Sequence, residues 1–398
     1  MAVLKNARKE ICQLSYCPLW WSATDREQRN EDAAYQKLPG DENCFCRGLT
    51  ASSAHERTVL LPIPVLQATA DESVLVIEGC SYLGSHLIRY LIDNKDATSI
   101  SVIDVETHKD RHPNVTYHEL DICSCEEVSS KFRQIRPNTA FHTASSFAFG
   151  FDLTFYEKVN IGGAKNLLRA AEAVSTVKAF IYTSSASVIH DGASDLVFAT
   201  DDTPIVILPA QRCLYSHNKA MGEKFVLEAH RQAGNMLTCS IRLSDMFGED
   251  DPSSTKPMID AAASGKYRYQ MGDGRNLFDR TLVENVVPAH VLAAYPHISA
   301  PPSSSIPVDE RVDGEAFIIT NDEPLGLIMV ALMEWAIWIS SLGKQDSKAI
   351  SAGIRYSMMD RTYNIEKAKK RLGYRPTVDM NEGIRKAGES FKKEKKGA

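Results

Sequence analysis

The distribution of apolar and polar positions divides the chain at residue 73. Residues 1–72 carry no sustained helical or strand period; a charged run from Asp25 to Asp32 alternates with isolated aromatics such as Trp20 and Trp21, which marks an accessory N-terminal extension. From Ser73 the pattern changes. Val74-Leu75-Val76-Ile77 is a short, unbroken, β-branched apolar run, the signature of a strand buried on both faces of a parallel sheet. A turn follows, then Leu83 to Ile92 with apolar residues at helical spacing, then a second apolar run ending at Asp104. Strand, helix and strand in that order make a βαβ unit. Further strands are predicted at Val115–Tyr117, Thr139–His142, Lys178–Tyr182 and Thr238–Arg242, with helices over Glu126–Ile135, Tyr156–Ala173 and Cys213–Arg231. The alternation predicts an α/β fold, a Rossmann-type doubly wound parallel sheet with helices on both faces.

Beyond Asp250 the alternation becomes irregular, and the stretch from Ala300 to Pro307 is a Pro- and Ser-rich surface connection. The expected organisation is therefore an extension over 1–72, a dinucleotide-binding core over 73–250, and a region over 251–398 that is mainly a smaller C-terminal substrate-binding cap with segments returning to the core. A chain of 398 residues with 43% hydrophobic and 24% charged residues can bury a full core. Its net charge of −6 argues against a nucleic-acid partner, whose binding surface is usually basic. Nine cysteines, an odd number without repeating spacing, do not suit a disulfide framework and point to a reducing compartment. Cys12, Cys17, Cys44 and Cys46 lack the paired spacing of structural zinc sites, so no metal is expected. Lys5, Arg8, Lys9 and Glu10 fall where a secretory signal needs its apolar stretch, so secretion is not expected.

Candidate chemistry begins at the first strand-to-helix turn, where glycines let a backbone approach a pyrophosphate and a helix N-terminus supplies oriented N–H groups. The three positions that glycines would take are Glu78, Ser81 and Gly84, so only the last is filled. Gly79 partly replaces the missing first glycine, and Gly79, Tyr82, Leu83 and Gly84 are the turn's candidate cofactor contacts. A carboxylate at Glu78 would repel a pyrophosphate unless the side chain turns away. Asp104 ends the second strand about 20 residues after Gly84, the position from which a carboxylate accepts from an adenosine ribose and disfavours a 2′-phosphate, favouring NAD over NADP. Tyr215 and Lys219 stand at i and i+4 on one helix face, and an ammonium beside a phenol favours the phenolate needed for proton abstraction. Alone, that pair is also what a solvated helix face gives. Context comes from Tyr182 to Val188, a serine-rich run at the carboxyl end of an apolar strand, where open α/β sheets place their sites; Ser185 can hold a substrate oxygen while Tyr215 moves its proton.

With these residues in this order, the chain resembles the extended short-chain dehydrogenase/reductase superfamily, and within it the 3β-hydroxysteroid dehydrogenase family. The resemblance runs from about Ser73 to Phe391. It is carried by Phe141 to Ser146, Tyr156 to Asn160 with Asn166 to Leu168, Tyr182 to Val188, Tyr215 with Lys219, Gly272 to Asn276, and Val283 to Val286. Gly314 to Pro324 and Tyr363 to Pro376 are similar to the decarboxylating sterol-4α-carboxylate 3-dehydrogenase group. The resemblance implies Ser185, Tyr215 and Lys219 as catalytic residues, and Asp104, Asp121, Ile122, Ala144 and Lys219 as lining an NAD site. Three departures stand out: two glycines are missing from the turn, Leu243 follows Arg242 where the family usually has proline, and the stretch after Pro324 is shortened.

The implied reaction is NAD-dependent oxidation of the 3β-hydroxyl of a sterol or triterpenoid, with a 4α-carboxylate then lost as CO₂, as in C-4 demethylation. Leu325 to Ile339, apolar except for Glu334, is too short and too charged for a confident membrane span and resembles an interfacial or buried helix. Lys395 and Lys396 near the end have the form of a dilysine retrieval signal. The expectation is a peripheral membrane contact at the cytosolic face of the endoplasmic reticulum, with a homodimer by superfamily analogy. Two other readings stay open: a sugar-nucleotide epimerase or reductase of the same superfold, and a membrane-associated pseudoenzyme that lost its cofactor through Glu78 and Ser81.

Overall fold

The computed structural model describes residues 72–108, 111–145, 153–231, 236–256, 259–260, 276–299, 307, 309–326 and 359–397. Its first strand, β1 (Ser73–Ile77), is the apolar run read above, and alternate residues serve opposite faces. Val74 and Val76 join one buried cluster and Leu75 and Ile77 another, as the two-residue period of a strand requires. α1 (Tyr82–Asp93), capped by Ser81, packs Leu83, Leu87, Ile88 and Leu91 onto the first face. β2 (Ser99–Asp104) and β3 (Val115–Glu119) follow, then α2 (Cys125–Ile135), where the Ser124 side chain accepts from the Glu127 amide and Glu126 and Glu127 complement the helix dipole. β4 (Thr139–His142) leads to α3 (Leu153–Tyr156), a π-helical stretch over Glu157–Gly163, and α4 (Ala164–Val174). After β5 (Ala179–Ser185) come a 3₁₀ turn (Ala186–Ile189), β6 (Leu196–Ala199), α5 (Leu214–Glu228) and β7 (Leu237–Leu243).

The remaining elements are short strands and two long helices: β8 (Asp245–Phe247), β9 (Leu277–Phe278), β10 (Arg280–Leu282), α6 (Val283–Ser299), β11 (Glu315–Ile319), β12 (Leu325–Gly326), β13 (Arg361–Tyr363), a second π-helical stretch over Ala368–Leu372, and α7 (Met380–Gly397). The main sheet runs β3-β2-β1-β4-β5-β7-β11, and every pairing in it is parallel. Chain order reverses at β1, where β1 is flanked by β2 and β4, so the carboxyl ends of these strands form the crevice in which doubly wound sheets bind ligands. Residues beyond 250 complete this sheet: β11 adds its outermost strand, with Ile319 opposite Leu243, and α6 joins the apolar cluster of α1. A second sheet, ordered β12-β9-β13-β6, joins β6 of the first half to strands of the last third.

All described residues lie in one compact unit, and a second, Trp21–Val65, lies outside the described residues. The N-terminal extension with its four cysteines, Gly272 to Arg275, and the apolar segment after Gly326 lie there too, as do the side chains of Lys395 and Lys396. Leu325 and Gly326, the start of that segment, form a strand, β12. Among the described residues the five cysteines are unbridged, and no helix is long and apolar enough to cross a membrane.

Candidate active site

The predicted residues converge on the carboxyl edge of the main sheet. At the end of β1, Glu78 has φ +64°, the left-handed region that glycine enters freely and other residues enter at a cost of about 1–2 kcal/mol. The turn is held nonetheless. The Glu78 amide donates to the Ile103 carbonyl at 2.6 Å, while its own carbonyl accepts from the amide and hydroxyl of Ser81. Ser81 thus stands where a glycine is expected and caps α1, its hydroxyl accepting from the Gly84 amide. Gly84 is indispensable there, since a Cβ would lie 2.3 Å from the Glu78 carbonyl oxygen; at Gly79 it would meet Val102 at 2.7 Å. The Glu78 carboxylate crosses to the end of β4 and accepts from the Ser145 amide at 2.9 Å.

Asp104, buried at the end of β2, is fixed by the Cys80 amide at 3.0 Å and the Glu106 amide at 3.3 Å. Its carboxylate is therefore tied to the β1–α1 turn. Asp121 accepts from the Cys123 amide at 2.9 Å, and Ile122 and Ala144 are buried at the ends of β3 and β4. Leu83 and Ile122 turn their side chains into the two cores, so the groups they present to the crevice are backbone groups. A dinucleotide fits these residues: α1 presents the amides of Tyr82 and Leu83 and has no acidic residue in its own first turn, and a buried carboxylate is anchored at the adjoining strand end.

On α5, Tyr215 is half-buried and Lys219 almost completely buried. The Lys219 ammonium donates to the Thr183 carbonyl at 2.7 Å and lies 5.0 Å from the centre of the Tyr182 ring. Burial lowers its pKa to about 8, against the pull of Glu78 and Glu223. Thr183 is gripped from its other side by His290 of α6, whose Nδ1 lies 3.0 Å from the Val286 carbonyl and whose Nε2 lies 2.8 Å from the Thr183 hydroxyl. Only a donor satisfies a carbonyl, so the proton sits on Nδ1 and Nε2 accepts from Thr183. Burial holds this imidazole neutral, with its pKa lowered to about 4.

Ser185 ends β5, and its hydroxyl lies 2.8 Å from that of Ser187 and accepts from the Ser187 amide at 3.2 Å. The Ser216 hydroxyl, next to Tyr215 on α5, donates to Ser187 at 2.9 Å. A chain of three hydroxyls therefore joins the end of β5 to the start of α5. α5 is also anchored by Glu223, fully buried and paired with Arg242 of β7 at 2.7 Å, while Arg242 donates to the Asp201 carbonyl. Sequence reasoning missed Ser187, Ser216, Thr183 with His290, and Gly222, where a Cβ would lie 2.5 Å from the Tyr182 hydroxyl. The serine-rich run and the small residue one turn after Lys219 were the available signals.

Comparison with known proteins shows the family and the fold. The sequence profile of the 3-beta hydroxysteroid dehydrogenase/isomerase family matches residues 75–346. A Bos taurus protein named sterol-4-alpha-carboxylate 3-dehydrogenase, decarboxylating, is 34% identical over 343 residues, covering 79% of this chain and 91% of the bovine one. The Homo sapiens protein of that name is 32% identical over 344 residues, covering 80% and 87%. Among solved structures, a UDP-glucose 4-epimerase from Thermotoga maritima superposes with a TM-score of 0.60 at 20% identity, over 81% of this chain and 99% of the epimerase, which shows the shared fold. The profile match spans α5 and reaches into the C-terminal third, and with a third of aligned positions identical to the bovine protein, this chain belongs to the 3-beta hydroxysteroid dehydrogenase/isomerase family.

Proposed function

We propose that the protein oxidises the 3β-hydroxyl of a 4α-carboxylated sterol or triterpenoid, with NAD as cofactor. The observation that carries the reading is the placement of Tyr215 one helical turn from a buried ammonium, Lys219, that the Thr183 carbonyl holds at the carboxyl edge of the sheet. NAD, when bound, supplies the hydride acceptor; the first-turn amides of α1 and the Asp104 carboxylate are the groups that would hold it. Tyr215, held as a phenolate by the Lys219 charge, takes the proton of the C3 hydroxyl and becomes the neutral phenol. Ser185 hydrogen-bonds the same substrate oxygen and orients it. The product is a ketone β to the carboxylate, and it loses CO₂ because the electrons of the breaking bond delocalise into the new carbonyl. The relatives' names, which couple a 3-dehydrogenase to decarboxylation, support this order of events.

The apolar segment that begins at Leu325 supports a sterol over a sugar-nucleotide substrate, and with the Lys395 and Lys396 pair it supports peripheral residence at the cytosolic face of the endoplasmic reticulum. One observation favours a second reading, a binding protein without turnover: the Glu78 carboxylate is stationed within the crevice on the Ser145 amide. Titration with NAD and assay of Tyr215→Phe separate the two. NAD binding, turnover of a 4α-carboxysterol by the unaltered protein, and its loss in Tyr215→Phe with NAD binding retained are the expected results. Turnover that survives in Tyr215→Phe removes Tyr215 as the base, and absence of NAD binding by the unaltered protein leaves the second reading.

A further inference from the structure

The three hydroxyls at the end of β5 carry an inference that deepens the proposed function and rests on it. Each hydroxyl has one proton to give. Ser216 spends its proton on the Ser187 oxygen at 2.9 Å, and the Ser187 amide already donates to the Ser185 oxygen at 3.2 Å. Between Ser185 and Ser187, 2.8 Å apart, either hydroxyl can be the donor. If Ser185 donates, its proton is consumed inside the chain and it can only accept from a substrate. If Ser187 donates, the Ser185 oxygen accepts twice from Ser187, both its lone pairs are filled, and its own proton has no direction left but outward.

An oxygen at C3 selects between these arrangements. As oxidation proceeds, the substrate oxygen loses its proton to Tyr215 and becomes an acceptor, an alkoxide and then a carbonyl. An acceptor needs a donor, and the second arrangement supplies one. We propose that Ser187 and Ser216 are positioning residues that fix the Ser185 hydroxyl as a donor to the reacting oxygen. Ser216 acts through Ser187: its donated proton occupies one of the two Ser187 lone pairs and polarises that hydroxyl, which makes Ser187 a better donor to Ser185 and a poorer acceptor from it. Ser216 is buried and adjoins Tyr215 in sequence, so the same first turn of α5 sets the base and the polarity of the donor.

Steady-state turnover of a 4α-carboxysterol with NAD, on the full chain, tests the proposal. Ser187→Ala is expected to lower kcat about 10-fold, the worth of one preorganised hydrogen bond, with KM for the sterol and Kd for NAD within about twofold of the unaltered protein. Ser216→Ala is expected to lower kcat about threefold. The double variant is expected to match Ser187→Ala, because both act through one hydroxyl and their effects do not add. Ser216→Thr, which keeps the hydroxyl, is expected to restore kcat. Multiplying losses in the double variant, or losses that appear in KM and thermal stability with kcat intact, would overturn the proposal in favour of a packing role. Ser185→Ala is the separate control: if it retains full turnover, the assignment of Ser185 fails first. If it loses turnover while Ser187→Ala does not, the positioning role alone fails.

Discussion

Substituting alanine at Gly222 sets two quantities of similar size against each other. Gly222 lies three residues after Lys219 on α5, and a Cβ there would approach the Tyr182 hydroxyl oxygen to 2.5 Å, the Tyr182 Cζ to 3.2 Å and the Asn160 carbonyl oxygen to 3.3 Å. The first contact is short of ordinary van der Waals separation by about 1 Å. Tyr182 is fully buried, edge-on to His142 at 5.2 Å, so its ring has no free space to enter. Alanine in a helix interior gains about 1 kcal/mol over glycine, whereas overpacking of a tight interior costs about 1–3 kcal/mol. The net loss is about 0–2 kcal/mol, a fall in Tm of up to about 4 °C. Function is expected to suffer more. If α5 retreats to relieve the contact, Lys219 leaves the Thr183 carbonyl it now meets at 2.7 Å, and a displacement of about 1 Å at a catalytic group costs about 100-fold in rate. Calorimetry and steady-state turnover measure both, and Gly222→Ala combined with Tyr182→Phe removes the clashing oxygen and should recover both. A Tm raised by helix propensity, with kcat unchanged, would refute the argument that close approach of α5 to β5 sets the site.

Two further outcomes are expected. Glu78→Gly should tighten NAD binding by about 10-fold, because it removes from the crevice a negative charge whose opposition to a diphosphate is about 1–2 kcal/mol; weaker binding by calorimetric titration would show instead that the carboxylate organises the crevice through Ser145. Lys219 should make NAD affinity and stability respond to pH in opposite directions. Its folded pKa is lowered to about 8 from an ordinary 10.5, so between these values the unfolded chain binds more protons and stability rises with pH, while affinity for the dinucleotide falls as the ammonium is lost above about pH 8. NAD titrations from neutral to alkaline pH on the unaltered protein and on Lys219→Met check this, the variant being expected to show no such trend.

How much of this was legible depended on the range of the interactions. The strands β1 to β5 and β7 were legible, β1 most clearly, because a strand buried on both faces must be apolar throughout, as Val74 to Ile77 is. β6, β8 to β10, β12 and β13 are two to four residues long, too short to show a period, and β6 exists only because residues 361–363 pair with it. The π-helical turn at Glu157–Gly163 read as ordinary helix, since apolar spacing does not report which carbonyl an amide chooses. At the site, Asp104, Tyr215, Lys219 and Ser185 were visible as residue types in order. Their supports were not: the hydroxyl of Ser216 reaches one 29 residues away, and Thr183 meets His290 across 107. Glu78 was legible as a lost glycine, but the direction of its side chain was set by the Ser145 amide, which no local pattern encodes.

The place of β11 has a consequence for how the protein comes into being. A ribosome releases the chain from its N-terminus, so β1 to β7 emerge long before Glu315–Ile319. Until those five residues arrive, β7 is a bare edge of fully buried-type residues, Leu237 to Leu243, an invitation to pair with another nascent chain. Arg242 and Glu223 wait as well, because Asp201, whose backbone carbonyl receives Arg242, is itself pinned by the Ile318 amide. Any transcript or protease product that stops near residue 250 would therefore yield an aggregation-prone fragment and not a free-standing dinucleotide-binding half.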